Sequence, residues 1–135
     1  MTDVQKKELI KSQQGELDAV LMYKALAKAV KSPHDAETFN RLAAEEGGHA
    51  VIFKECTGET LRPKKTLATL LPVLYRIIGK KRLYPIIAKF EYDAAKNYEH
   101  LISNFPKVES VKNDETRHGD TVNSLLNDRR TSGEV

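Results

Sequence analysis

Six side chains in the 135-residue sequence combine residue type and spacing in a way that suits metal coordination: Glu16, Glu46, His49, Glu91, Glu115 and His118. In chain order they read Glu, Glu-x-x-His, Glu, Glu-x-x-His. Residues three apart on a helix lie about 4.5 Å apart along the axis and share a face. Glu46 with His49, and Glu115 with His118, can therefore each direct an oxygen and a nitrogen toward one point. A single buried Glu is ordinarily paired or reaches the surface, and a lone His on an apolar face is ordinarily a satisfied core residue. Recurrence over four segments argues instead for one shared site. Four carboxylates converging in an apolar interior need compensating charge, and the apolar stripes that carry them contain no Lys or Arg. Two divalent cations would balance them, and a mixed oxygen and imidazole set suits iron or manganese better than thiolate-seeking metals.

An internal repeat supports the same conclusion. The segment Glu16 to Tyr23, ELDAVLMY, recurs as Glu91 to Tyr98, EYDAAKNY, and each copy is followed by a Glu-x-x-His pair. The chain thus reads as two related hairpins facing each other across a pseudo-twofold axis, with a metal pair on that axis. Tyr23 and Tyr98 lie two turns beyond their helix's Glu, too far to ligate the same ion easily. They are read as hydrogen-bond donors to ligand carboxylates on facing helices, the alternative being plain core aromatics. Asp18 and Asp93 fall about 200° around the helix from the neighbouring Glu and should face elsewhere.

The elements that must position these residues are helices, because period-3.6 apolar spacing dominates and strand-like alternation is absent. The spacing predicts an all-α fold with long helices over about 4–31, 33–56, 82–104 and 107–128. Ser32 caps the second helix, Pro33 takes its first position, and Thr57-Gly58 closes it. The crossover of about 57–81 is longer than a hairpin needs. Leu67, Leu70, Leu71, Leu74, Ile77 and Ile78 predict a short amphipathic helix within it, with Pro72 disturbing its first turns. Hairpin, long crossover, hairpin is the ferritin-like four-helix arrangement. On the facing stripes lie Leu9, Val20, Tyr23 and Val30; Phe39, Leu42 and Phe53; Ile87, Ala94, Tyr98 and Phe105; and Val108, Val111, Val122 and Leu125. Gly47 and Gly48 each cost about 1 kcal/mol relative to Ala inside a helix, which predicts a close approach of the crossover or a partner subunit there.

The length suits one domain over residues 1–135, with disorder expected at the C-terminal end from Thr131 to Val135. A net charge of +3, with basic and acidic residues interleaved, does not point to nucleic acid. The basic runs Pro63 to Lys65 and Lys80 to Arg82 read as solvated connector. No signal-like or bilayer-spanning apolar run is present, so a cytoplasmic protein without a membrane partner is expected. The lone Cys56 excludes an intramolecular disulfide and CxxC-type metal sites, and reads as a small buried residue.

Glu16, Tyr23, Glu46-Gly-Gly-His49, Glu91, Tyr98 and Glu115-Thr-Arg-His118 together make the chain resemble the rubrerythrin family of ferritin-like di-iron proteins over nearly its whole length. The resemblance implies two iron ions, with manganese or another divalent metal as the alternative. Glu46 and Glu115 would bridge them, Glu16 and Glu91 would be terminal ligands, and His49 and His118 would complete the coordination. It also implies chemistry with hydrogen peroxide or dioxygen, as a di-iron peroxidase. The alternatives are a ferroxidase handling iron and, in a different class, a non-catalytic helical interaction module. Rubrerythrins usually carry a four-cysteine rubredoxin domain, which one cysteine cannot build. Electrons would then come from an external donor such as a rubredoxin-like protein, and a homodimer is expected. The family also places a further Glu three residues beyond the third-helix ligand, where this sequence has Ala94.

Overall fold

A computed structural model describes residues 1–128; the disorder expected for Thr131 to Val135 lies outside the described residues. Five helices follow one another: α1 (Asp3–Ala29), α2 (Pro33–Thr57), α3 (Thr66–Ile78), α4 (Lys80–Tyr98) and α5 (Val108–Ser124), with a single 3₁₀ turn at Glu99–Leu101. Among the described residues there is no strand. The architecture is the all-α, ferritin-like bundle, with α1/α2 and α4/α5 as its two hairpins and α3 laid mainly against α1.

Local sequence fixes the ends. Thr2 caps α1 reciprocally: its hydroxyl accepts from the Gln5 amide at 3.1 Å, and the Gln5 side chain accepts from the Thr2 amide at 2.9 Å. Ser32 accepts from the Asp35 amide at 3.2 Å and Pro33 begins α2. Gly58, at φ 70°, ends it in the left-handed conformation that glycine adopts without a Cβ penalty. The strap before α3 is held by α1 side chains. Gln13 donates to the Glu59 carbonyl at 2.8 Å, and the Asp18 carboxylate, facing away from the core, accepts from the Lys64 amide at 2.7 Å.

Two apolar clusters fill the bundle. One gathers Met22, Leu26, Phe39, Leu42, Leu71, Leu83 and Ile87; the other gathers Leu9, Phe53, Leu101, Val108 and Val111. On every long helix the Glu or Glu-x-x-His positions fall between members of these clusters. The carboxylates and imidazoles therefore form one polar layer sealed from both ends.

The structure departs from the sequence reading in several places. α1 stops at Ala29, two residues short of Lys31. The crossover is 58–79 rather than about 57–81, because Gly79 at φ 77° turns α3 directly into α4 at Lys80. α4 gives way to the 3₁₀ turn and further turns before Asn104, and α5 ends at Ser124 instead of Asp128. α3 runs unbroken through Pro72, and α4 through Pro85; each proline removes one backbone donor, and packing against α1 and α5 sustains the helix around it. The crossover makes no close approach at Gly47 or Gly48. A Cβ on Gly48 would meet nothing within 4 Å and one on Gly47 only ordinary contact with Val20. The close approach is at Gly119, where an added Cβ would lie 2.5 Å from the Tyr92 ring. Val20, Ala94, Phe105 and Cys56 are half-buried, whereas Met22 and Leu26, absent from the expected stripe, are core. Lys80 is buried and not part of a solvated connector. No helix of the described residues is long and apolar enough to cross a membrane.

Candidate metal centre

The polar layer brings together all six residues singled out by spacing, each between 0 and 5% exposed. Their atoms fall into two overlapping sets. Glu16, Glu46, His49 and Glu115 each present one coordinating atom within 4.8 Å of the others, and so do Glu46, Glu91, Glu115 and His118. Glu46 and Glu115 belong to both sets, so two cations held here would share them.

The imidazoles define the centre. His49 Nδ1 lies 3.2 Å from Glu46 Oε1, 3.2 Å from Glu115 Oε1 and 3.6 Å from Glu16 Oε2. His118 Nδ1 lies 3.0 Å from Glu46 Oε1, 3.3 Å from Glu115 Oε1 and 3.7 Å from Glu91 Oε2. These are ion-pair distances without hydrogen-bond alignment: Glu16 Oε2, Glu46 Oε1, His49 Nδ1, Glu91 Oε2, Glu115 Oε1 and His118 Nδ1 are buried and find no hydrogen-bond partner among the described residues. Buried polar atoms are otherwise almost always paired. Six unpaired ligand atoms aimed at one small volume fit a pair of divalent cations, which would also neutralise four carboxylates.

The outward imidazole nitrogens and the second oxygens of Glu16 and Glu91 are engaged. His49 Nε2 pairs with Asp114 at 2.8 Å and His118 Nε2 with Glu45 at 3.3 Å. Arg117 in turn binds both acids, Asp114 at 3.2 Å and Glu45. Partners of this kind fix ring orientation and raise the basicity of a metal-binding imidazole. Tyr23 donates to Glu91 Oε1, and Tyr98 donates to Glu16 Oε1 at 3.0 Å. Each tyrosine thus donates to a carboxylate on a helix of the other hairpin.

Without cations the cluster holds protons. Burial lifts the Glu91 carboxyl to about 7, with Glu115 adding to the rise, and lifts Glu16 to about 6. Burial followed by the Glu16 charge raises Glu46. For His118 burial works downward, but Glu115, Glu46 and Glu91 outweigh it and push the imidazole up to about 12. His49 is raised for the same reason by Glu115, Glu16 and Glu46. Burial and adjacent carboxylates drive the Tyr23 and Tyr98 hydroxyls above their ordinary range, so they remain donors. At Asp114 and Glu45, burial is overcome by the neighbouring imidazole and Arg117, which hold both acids below the usual carboxylate range.

Comparison with known proteins agrees with this architecture. The Rubrerythrin family model matches residues 7–126. The chain belongs to the rubrerythrin family. It is 33% identical over 119 residues to Reverse rubrerythrin-1 of Clostridium acetobutylicum, a match that takes in 84% of this chain and 61% of that protein's length. No solved structure matches. The buried Glu/His cluster able to bind metal lies wholly within the matched residues.

Sequence reasoning missed two groups. Glu45 and Asp114 carried a usable signal, since an acidic residue precedes the Glu of both Glu-x-x-His pairs. The second is a buried cluster at the far end of the bundle, where Lys80 pairs with Asp35 at 3.2 Å and Tyr84 donates to the same carboxylate at 2.7 Å. Tyr84 packs edge-on against Phe39, which stacks on Tyr23. Helical spacing does place Asp35 near Phe39 and Leu42, but Lys80 lay in a basic run with every appearance of a solvated turn.

Proposed function

We propose that this chain is a di-iron oxidoreductase that reduces hydrogen peroxide with electrons from an external donor of the rubredoxin kind. The observation that carries the reading is the set of six buried, unpaired ligand atoms divided between two groups that share Glu46 and Glu115. Glu16 and His49 would complete one metal position, and Glu91 and His118 the other. When bound, a reduced iron pair supplies two electrons, the number peroxide needs for conversion to two waters with two protons.

The protein's own residues orient and insulate. Asp114 and Glu45 hold the imidazoles with Nδ1 inward. Tyr98 keeps a proton on its hydroxyl 3.0 Å from Glu16 Oε1, and Tyr23 does so at Glu91 Oε1, which restrains the two outer carboxylates. The flanking apolar clusters exclude bulk water from both ends, so the fixed charges act in a low-dielectric layer.

The test is anaerobic reduction of the iron-loaded protein followed by stopped-flow mixing with hydrogen peroxide or with dioxygen. Peroxide should oxidise it faster. Faster reaction with dioxygen, with release of ferric iron and continued uptake of ferrous iron, would assign it to iron handling instead.

A further inference from the structure

Beside the carboxylate layer, between α1 and α4, lies a cavity of about 310 Å³. Ala19 and Met22 of α1, Leu67 of α3, and Ile87, Phe90 and Ala94 of α4 form its walls, and the four cluster carboxylates close its inner end. A water molecule takes about 30 Å³ of liquid volume, so a molecule of two oxygens needs roughly 60 Å³. The cavity is about five times larger than that, and it falls within the roughly 300–1,000 Å³ of small-molecule pockets. Away from the carboxylates and the Tyr23 and Tyr98 side chains its walls are apolar, and water needs polar partners to stay in place. Phe90 is 50% exposed, so the apolar wall continues to the surface.

Ala94 stands one turn from Glu91 on α4 and lines the cavity with it. A longer side chain there would occupy the space that the methyl group leaves.

We propose that this cavity binds the apolar tail of an organic hydroperoxide, ROOH, with its peroxide group at the carboxylate end, and that Ala94 determines which tails fit. The inference rests on the peroxide-reducing reading above and names its substrate class. The reaction is ROOH + 2 e⁻ + 2 H⁺ → ROH + H₂O. The O–O bond breaks, the two electrons come from the reduced metal pair replenished by the external donor, and the protons come from solvent.

Two measurements on the metal-loaded protein test it. Calorimetry with 1-octanol, a redox-inert probe with an apolar tail, should show saturable binding. Stopped-flow oxidation of the reduced protein should give a half-saturating concentration for cumene hydroperoxide about tenfold below that for hydrogen peroxide. Ala94→Leu and, from the opposite wall, Ala19→Leu should each weaken 1-octanol binding and lower the ratio of the cumene hydroperoxide rate to the hydrogen peroxide rate by about tenfold, the scale of a few methylenes in an apolar pocket. Absence of 1-octanol binding, or an equal change for both peroxides in the variants, overturns the proposal while leaving peroxide reduction standing. Binding of 1-octanol by a protein inert to both peroxides overturns the reaction and leaves the apolar-tail site. Loss of a dimer in Phe90→Ser, with no 1-octanol binding in either form, assigns the cavity to a second copy of the chain. If both Leu variants melt early, the series methyl, tert-butyl and cumene hydroperoxide on the unmodified protein decides, since no gain with tail size would sink the idea.

Discussion

His49 and His118 stack across the bundle, ring centroids 5.6 Å apart and planes 23° from parallel, and each is oriented by the other's helix. Asp114, beside Glu115 on α5, holds His49 of α2; Glu45, beside Glu46 on α2, holds His118 of α5. The tyrosines repeat the exchange, Tyr23 of α1 donating to Glu91 of α4 and Tyr98 of α4 to Glu16 of α1. Each hairpin is thus completed by the other, as the internal repeat implies.

That reciprocity makes the outer acids testable. Asp114→Asn and Glu45→Gln should each lower metal affinity about 10–100-fold, the range for loss of a carboxylate behind a ligating imidazole. Chelator competition measures it. Asp18→Asn, whose carboxylate accepts from Gln14 and the strap rather than from the cluster, is the control and should leave affinity unchanged.

The shared carboxylates should behave differently from the unshared ones. Glu46→Ala or Glu115→Ala should lose both metals of an expected pair, whereas Glu16→Ala or Glu91→Ala should retain about one per chain. Metal analysis of reconstituted, folded variants distinguishes the cases. Loss of one metal with the other undisturbed in Glu46→Ala would remove the bridging assignment.

Stability of the metal-free protein should fall as pH rises. The Glu16 and Glu91 carboxyls have folded-state values of about 6 and about 7, above the ordinary 4.5. Their contribution is fully present below pH 4.5 and is lost as pH climbs through those values. His118, raised from 6.5 to about 12, adds to the decline from pH 6.5 upward. Metal binding displaces these protons, so the difference in Tm between metal-loaded and metal-free protein should widen from pH 5 to pH 8. Thermal melts across that window check it, and a gap that narrows would contradict the proton-holding cluster.

Lys80→Met should destabilise the fold by about 3–5 kcal/mol, the range for removing one partner of a buried ion pair. Asp35 would keep only the Tyr84 hydroxyl on its Oδ2, and its Oδ1 already lacks a hydrogen-bond partner. Urea denaturation reads the loss. Asp35→Asn combined with Lys80→Met should recover part of it, because the uncompensated charge disappears.

Much of the site was legible because helical periodicity is local. The i, i+3 spacing of Glu46 with His49 and of Glu115 with His118, and the repeat of Glu16 to Tyr23 as Glu91 to Tyr98, are properties of the chain alone. They determined the all-α topology, the six converging residues and the pairing of two hairpins. Contacts between helices were settled only by the rotation and spacing at which the helices pack. That is why Glu45 crosses to His118 and Asp114 to His49, why Tyr92 leaves no room for a Cβ at Gly119 while Gly48 has open space, and why Lys80 turns inward to Asp35. The cavity beside Ala94 belongs to the same class, since a space between α1 and α4 depends on their separation as well as on small residues such as Ala19 and Ala94.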